Sequence, residues 1–396
     1  MTMHTKRKQQ PAINFSSAVP YLFFLALIFY FNCVERSLMS PLLVSIQKEF
    51  QFSYALTTSL LVVRSFGLSI SLFCNSFLAT HFTHRSIVTA SVFLAGASFS
   101  LLSLTTSYFQ LQLGLLLFGL SAGMYFPSGM ASIASLVQRK DYGKAISIHE
   151  LAPNLAFITA PFIVELLLII TDWRGCLRYV GLASMLLACA FALFGKGGEG
   201  NGTPPQFATL KRLATKRNLW IFLVLAGITL SLEIAPYYVL PLFLVDQHNM
   251  SSAEANHLLA YSRLATPLCA LCAGFLVEKT GDKPLLFAGL FLSAVALGIM
   301  ATADGIPLIA AIIAQPLFPA ILFPVVFKVF SEFFPPEEQS LVLAITMPFV
   351  GFFGSGILPN FLGYCGDIIS FQFGFGIFSV LTLVSTAALT VRIARD

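Results

Sequence analysis

The chain has 396 residues, 57% of them hydrophobic and only 10% charged, with a mean hydropathy of +0.83. A water-soluble domain carries about 25% charged residues, so this composition excludes a soluble globular or disordered protein. The net charge of +5 lies in short polar segments, which excludes a nucleic-acid surface and implies basic loops on one side of a bilayer.

The chain opens with the basic stretch MTMHTKRKQQ, and an apolar run follows from Ala18 to about Ile46. That run is too long for the core of a signal peptide and reads as a retained membrane span. Twelve spans are predicted over 18–45, 54–79, 87–106, 109–137, 144–171, 175–196, 218–245, 253–278, 284–303, 306–331, 339–365 and 371–393. Hydrophilic sequence concentrates between the sixth and seventh, in GKGGEGNGTPPQFATLKRLATKRN, a Gly/Pro-rich then basic linker. The expected organisation is a tail (1–17), a six-helix bundle (18–196), a linker (197–217) and a second six-helix bundle (218–393). Pro236, beside Glu233, is expected to break the seventh span. Lys328 and Glu332, one turn apart on the tenth, are expected to pair.

Of 23 Lys and Arg, three (Arg36, Arg64, Arg263) are intramembrane and three (Lys48, Arg174, Arg178) fall on one side. The other 17 fall on the side of the termini and linker, which the positive-inside rule makes cytoplasmic. Cys269 and Cys272 form a CxxC inside a helical span without partner ligands, so neither zinc nor redox chemistry is expected. With no phosphate-binding loop and no HExxH, neither enzymatic activity nor a cofactor is expected.

The halves repeat. SPLLVSIQ at 40–47 aligns with LPLFLVDQ at 240–247, an offset of 200; SFLATHFTHR at 76–85 aligns with GFLVEKTGDK at 274–283, an offset of 198. Glu35 and Glu233 are 198 apart, and Arg64 and Arg263 are 199 apart. Six spans duplicated in parallel around a linker is the layout of a rocking carrier.

GFLVEKTGDK resembles the loop motif G-x-L-a-D-R-x-G-R-K of the major facilitator superfamily. Gly274, Leu276, Gly281 and Lys283 match, with Glu278 in place of the Asp. The first-half copy is degenerate, with Ser76, Thr80, His81 and Thr83 at motif positions. The resemblance covers essentially the whole chain and implies an all-α membrane protein of twelve helices in two bundles related by a pseudo-twofold axis. It implies alternating access, with Gly274, Glu278, Gly281 and Lys283 in the gating loop. AFITAPFIV on the fifth span keeps Ala156, Ala160 and Pro161 but not the glycines of the antiporter signature, which weakens a drug-antiport reading. Arg64 and Arg263 also match the paired arginines of the nitrate/nitrite porters. The glycine-rich signatures of those porters are absent, so the resemblance supports a small anion and not nitrate itself.

A charge at the bilayer centre costs about 2.5–3.5 kcal/mol on insertion scales and marks a functional site by default. Arg64 and Arg263 are therefore expected to hold a substrate anion, with Tyr237, Tyr238 and Asn32 lining the site. Glu35, Glu233 and Glu150 are expected to carry protons, Glu150 with its neighbour His149. The competing structural reading is two buried ion pairs, Glu35–Arg64 and Glu233–Arg263. The expected function is proton-coupled movement of a small anion, uptake favoured over export. The expected setting is a monomer in a bacterial inner membrane with both termini cytoplasmic. Partners are an anionic solute, protons and lipid. Rival readings are export of drugs or hydrophobic cations, a lipid flippase, and a receptor that transports nothing.

Overall fold

The computed structural model describes residues 14–202 and 212–393. They form twelve crossings: α1 (Phe15–Phe50), α2 (Tyr54–His81), α3 (His84–Leu102), α4 (Tyr108–Leu136), α5 (Arg139–Leu168), α6 (Trp173–Phe194), α7 (Arg217–Gln247), α8 (Ser252–Arg263 and Thr266–Thr280), α9 (Asp282–Thr302), α10 (Gly305–Phe333), α11 (Pro336–Phe352, Phe353–Ile357 and Leu358–Ile368) and α12 (Phe371–Ile393). No strand occurs among the described residues. In lipid every backbone group must be satisfied within its own segment, so long apolar runs of this kind fold as helices. Polar caps fix the starts: Ser53, Thr83, Ser107 and Asp172 accept backbone N–H groups of α2, α3, α4 and α6, and Ser251 with Glu254 forms a capping box on α8.

Eleven of the crossings are long and apolar enough to span a membrane as single helices. The exception is α8, which breaks after Arg263. Pro267 has no N–H for the Arg263 carbonyl, and the Thr266 hydroxyl supplies the missing bond at 2.8 Å.

The expected break in α7 is absent. Its 31 residues run continuously through Pro236 and Pro241. The carbonyls these prolines orphan, Leu232 O and Tyr237 O, accept instead from Gln315 (2.7 Å) and Ser40 (2.6 Å) on neighbouring helices. A proline-containing helix stays whole where another donor reaches the freed carbonyl. A second correction concerns Lys328, which reaches Asp282 at the start of α9 (3.6 Å) and not Glu332, because α9 begins beside it.

Within the first half α2 packs on α4 and α3 on α6; within the second, α9 packs on α12 and α8 on α10. The halves meet along α2–α11, α5–α8 and α1–α7. Twelve crossings place both described ends on one side, here the termini face, opposite the far face. Residues 198–202 do not hang free. They lie on the α2–α3 loop, with Gly198 O, Gly200 O and the Asn201 amide bonded to Arg85 N (2.8 Å), His84 N (3.1 Å) and Thr80 O (3.3 Å). The rest of the predicted linker up to Lys211, and the tail up to Ile13, lie outside the described residues.

Candidate substrate site

Arg64 sits midway along α2, 2% exposed. Glycine brings α2 close to α4: a Cβ on Gly119 would lie 2.1 Å from Arg64 O. The side chain then crosses to the other half. Nη1 donates to the Tyr238 hydroxyl (2.7 Å) and to Arg36 O (3.1 Å), and Nη2 donates to Ser355 O (3.3 Å). Ser355 lies in a π-helical turn of α11, Phe353–Ile357. Pro359, four residues on, leaves its carbonyl without an intrahelical donor. The guanidinium also packs over the Tyr238 ring at 4.6 Å. Nε has no partner, and no carboxylate lies within 4 Å among the described residues.

Arg263 is its counterpart, also 2% exposed, at the break in α8. Here the positive charge is answered. Nη1 pairs with Glu233 Oε1, Nη2 bonds Glu233 O at 2.8 Å, and the guanidinium lies over the rings of Tyr237 (5.0 Å) and Phe157 (5.2 Å). Glu233 Oε2 and Arg263 Nε remain without partners. A small pocket bounded by Tyr237, Ser262, Arg263 and Gln315 opens beside them.

Tyr237 and Tyr238 join these groups. The Tyr237 hydroxyl lies 3.5 Å from both Ser37 O and Phe157 O, carbonyls that Pro41 and Pro161 free on α1 and α5. The Tyr238 hydroxyl donates to Arg36 O at 3.3 Å. Arg64, Arg263, Glu233, Tyr237 and Tyr238 are thus brought together where the halves meet.

Glu35 is not among them. It is 1% exposed and faces Ser184 on α6, inside the first half, and its Oε1 has no partner. The alternative of a Glu35–Arg64 ion pair is therefore absent, whereas Glu233–Arg263 is present. Asn32 is likewise occupied within the first half, donating to Ala122 O on α4 (3.2 Å).

Glu150 lies at a kink of α5, where Pro153 interrupts the helix and its own carbonyl accepts from Asn154 (3.1 Å). Its side chain is 45% exposed, and Oε1 is 3.2 Å from Nδ1 of buried His149. The imidazole stacks on Phe29, and its Nε2 is 3.0 Å from the Tyr125 hydroxyl. Tyr125 donates its one proton to Leu25 O (2.8 Å), so it accepts from His149 Nε2–H. The Nδ1–Glu150 contact then needs one further proton, on either partner. Of the predicted gating residues, Gly274 lies on the second segment of α8 and Gly281 ends it at φ +81°, a conformation that favours glycine. Glu278 and Lys283 are exposed and without ion pairs among the described residues.

Sequence reasoning left Arg36 out of the site, as well as two acids on the far face. Asp367 of α11 accepts from Tyr54 N (2.7 Å) and Ala55 N (2.8 Å), and Asp246 of α7 accepts from the Tyr54 hydroxyl. Asn256 of α8 donates to Glu165 of α5 at 2.6 Å. These bonds, with Asn360 to Ala55 O at 2.7 Å, tie the halves together at the far face. Among the described residues, the hydrogen bonds between the halves extend from there to mid-membrane, as far as Ser69 to Pro348 O at 2.7 Å.

Comparison with known proteins agrees with this architecture. A curated relative, the nitrite extrusion protein of Bacillus subtilis (strain 168), is 24% identical over 204 residues. That match spans about half of either protein, 51% of each. Among solved structures, a transporter of the POT family in complex with a thioalcohol-conjugated peptide superposes with a TM-score of 0.80 at 12% identity, over 96% of each chain. A bacterial homologue of the human lysosomal transporter Spinster, inward-facing and unoccupied, gives a TM-score of 0.75 at 16% identity over 96% of each chain. A nucleoside transporter gives 0.78 at 14%, over 94% of this chain and 99% of the other. The family model of the Major Facilitator Superfamily matches residues 25–266 and 229–396. The chain is an integral, multi-pass membrane protein and a member of the Major Facilitator Superfamily of transporters.

Proposed function

We propose that this transporter carries a small anion, coupled to protons, through a site built on Arg64 and Arg263. The observation that carries the reading is the state of Arg64: a buried guanidinium with no carboxylate within reach among the described residues and an unbonded Nε. A buried charge without a counter-ion is strongly disfavoured, so its position asks for a negative ligand. Arginine suits that task because it keeps its charge when buried and offers a planar fork for oxyanions. The nitrite named for the curated relative is an anion of the same class.

Protons enter through buried or half-buried acids of the spans. Glu233 neutralises Arg263 when ionised. Its protonation would release that guanidinium for substrate, so anion and proton would bind together. The His149–Glu150 couple holds a proton of its own at the kink of α5, and Glu35 is a third candidate in the first half. Gly274, Glu278, Gly281 and Lys283 would serve the gating loop. With the basic loops placed in the cytoplasm, the far face is external and the bonded halves represent a state open to the cytoplasm. The setting would be a bacterial inner membrane, with the protein a monomer. The two bundles, 18–196 and 218–393, would rock about the site, with 197–217 joining them. A potential of 100 mV contributes about 2.3 kcal/mol per charge moved.

The test is thermal stabilisation of the detergent-purified protein by a panel of organic and inorganic anions, cations and lipids, on wild type and Arg64→Ala. An anion that stabilises wild type, with affinity at least about tenfold weaker in Arg64→Ala, supports the reading. Stabilisation by cations or lipids alone, equal in both proteins, would falsify it.

A further inference from the structure

The other arginine of α1 bears on what kind of anion fits. Arg36 is only partly buried. Its side chain leans back along α1, with Nε on Asn32 O (3.3 Å) and Nη2 on Cys33 Sγ (2.9 Å). A helical side chain inclines toward its helix N-terminus, here the termini face. The Tyr54, Asp246 and Asp367 contacts join the halves on the far side. It makes no ion pair among the described residues: the salt bridges there involve Arg174, Arg212, Arg263 and lysines or histidines.

No acid among the described residues bonds it, although Glu35 lies near enough to act on its charge. Glu35, next in the chain, turns toward Ser184 of α6, and Glu150 is engaged by His149. The same residue touches the site through its backbone, since Arg36 O accepts from both Arg64 Nη1 and the Tyr238 hydroxyl. Arg36 and Arg64 are thus two adjoining arginines that make no ion pair among the described residues, whereas Arg263 has Glu233.

We propose that Arg36 is a third substrate-binding residue, the one that first meets an anion from the termini face, and that Arg36 with Arg64 selects a doubly charged small anion over a singly charged one. This inference rests on the anion reading of Arg64. A divalent oxyanion or short dicarboxylate neutralises both guanidinium groups, where nitrite or nitrate would leave one unanswered.

Binding of sulfate, malonate and nitrite to the full-length purified protein tests this, by calorimetry on wild type, Arg64→Ala, Arg36→Gln and Arg36→Lys. Wild type should bind sulfate or malonate more tightly than nitrite. Arg36→Gln should weaken the divalent anions about tenfold or more and nitrite by less, with Arg36→Lys recovering most of the loss because the charge is kept. If Arg64→Ala abolishes binding and Arg36→Gln binds all three as wild type does, Arg36 has no part in the site, and the anion reading of Arg64 survives. A wild-type preference for nitrite would likewise overturn the selectivity for divalent anions. If wild type binds none of the three, both the inference and its premise fall.

Discussion

At the scale of the residue, what separates the two buried arginines is their neighbours. Both are buried and both lie against tyrosine rings, but only Arg263 has a carboxylate. Glu233→Gln should therefore change the site's charge without emptying it, since Arg263 Nη2 keeps its bond to the Glu233 backbone carbonyl at 2.8 Å. We expect anion affinity to rise by about tenfold, the worth of one charge-assisted hydrogen bond, and its dependence on pH to flatten. Titrating anion affinity from pH 5.5 to 8.5 checks this; weaker binding with an unchanged pH profile would mean that Glu233 is only a structural partner. Arg64, Glu233 and Arg263 were legible in the sequence, because a charge within an apolar run is costly and so stands out. Glu35 was legible as buried, but its direction was not. The roll of α1 about its axis decides whether that carboxyl faces Arg64 or Ser184, and packing against α4, α5 and α6 sets the roll. The direction of Arg36 depends on the same roll, which no pattern within α1 reveals.

At the scale of the helix, proline is the recurrent device. Each interior proline orphans the carbonyl four residues earlier, and several of those carbonyls become acceptors for another element. Ser37 O lies against Tyr237, Tyr237 O takes Ser40, Leu232 O takes Gln315, and Ser355 O takes Arg64. The prolines were visible in the sequence. Whether a helix then breaks, as α8 does, or runs on, as α7 does, was not, because it depends on donors from distant segments. Glycine performs the complementary task on α11. A Cβ on Gly363 would stand 2.2 Å from Thr58 Oγ1 and 2.8 Å from Tyr54 O, so glycine alone lets α11 seat against α2 at the far face. Gly363→Val should act as a wedge. Overpacking of this kind costs about 1–3 kcal/mol, felt only by the conformation in which α2 and α11 touch. A cysteine at Asn360, in an otherwise cysteine-free protein, should then react with a membrane-impermeant thiol reagent about tenfold faster than in the parent. An unchanged rate would show that α11 absorbs the side chain elsewhere and that the contact does not govern closure.

At the scale of the molecule, the hydrogen bonds between the halves among the described residues lie at the far face and at the site itself. The far-face bonds are few and polar, which would suit a contact that forms and breaks in a transport cycle. Asp367 sits on two N-terminal amides of α2, where a carboxylate is favoured by both the free N–H groups and the helix dipole. Asp246 holds the Tyr54 hydroxyl of the same helix start from the α7 side. Both aspartates are solvent-exposed, so each contact is worth only about 1 kcal/mol after screening. Such contacts bias an equilibrium between two rocked states without locking it. Replacing both acids, Asp246→Asn with Asp367→Asn, removes the charge at nearly constant shape. The population with an open far face should then rise by about thirtyfold, the sum of two such contacts. Spin labels at Gln51 and Ile369, on far-face loops of opposite halves, can measure it. The parent should give one short distance, and the double variant should add a longer one that shrinks again as a bound anion re-forms the Arg64 bridge between the halves. A distance distribution identical in both proteins would place control of opening with the apolar packing of α1 on α7 and α5 on α8, and not with the two aspartates.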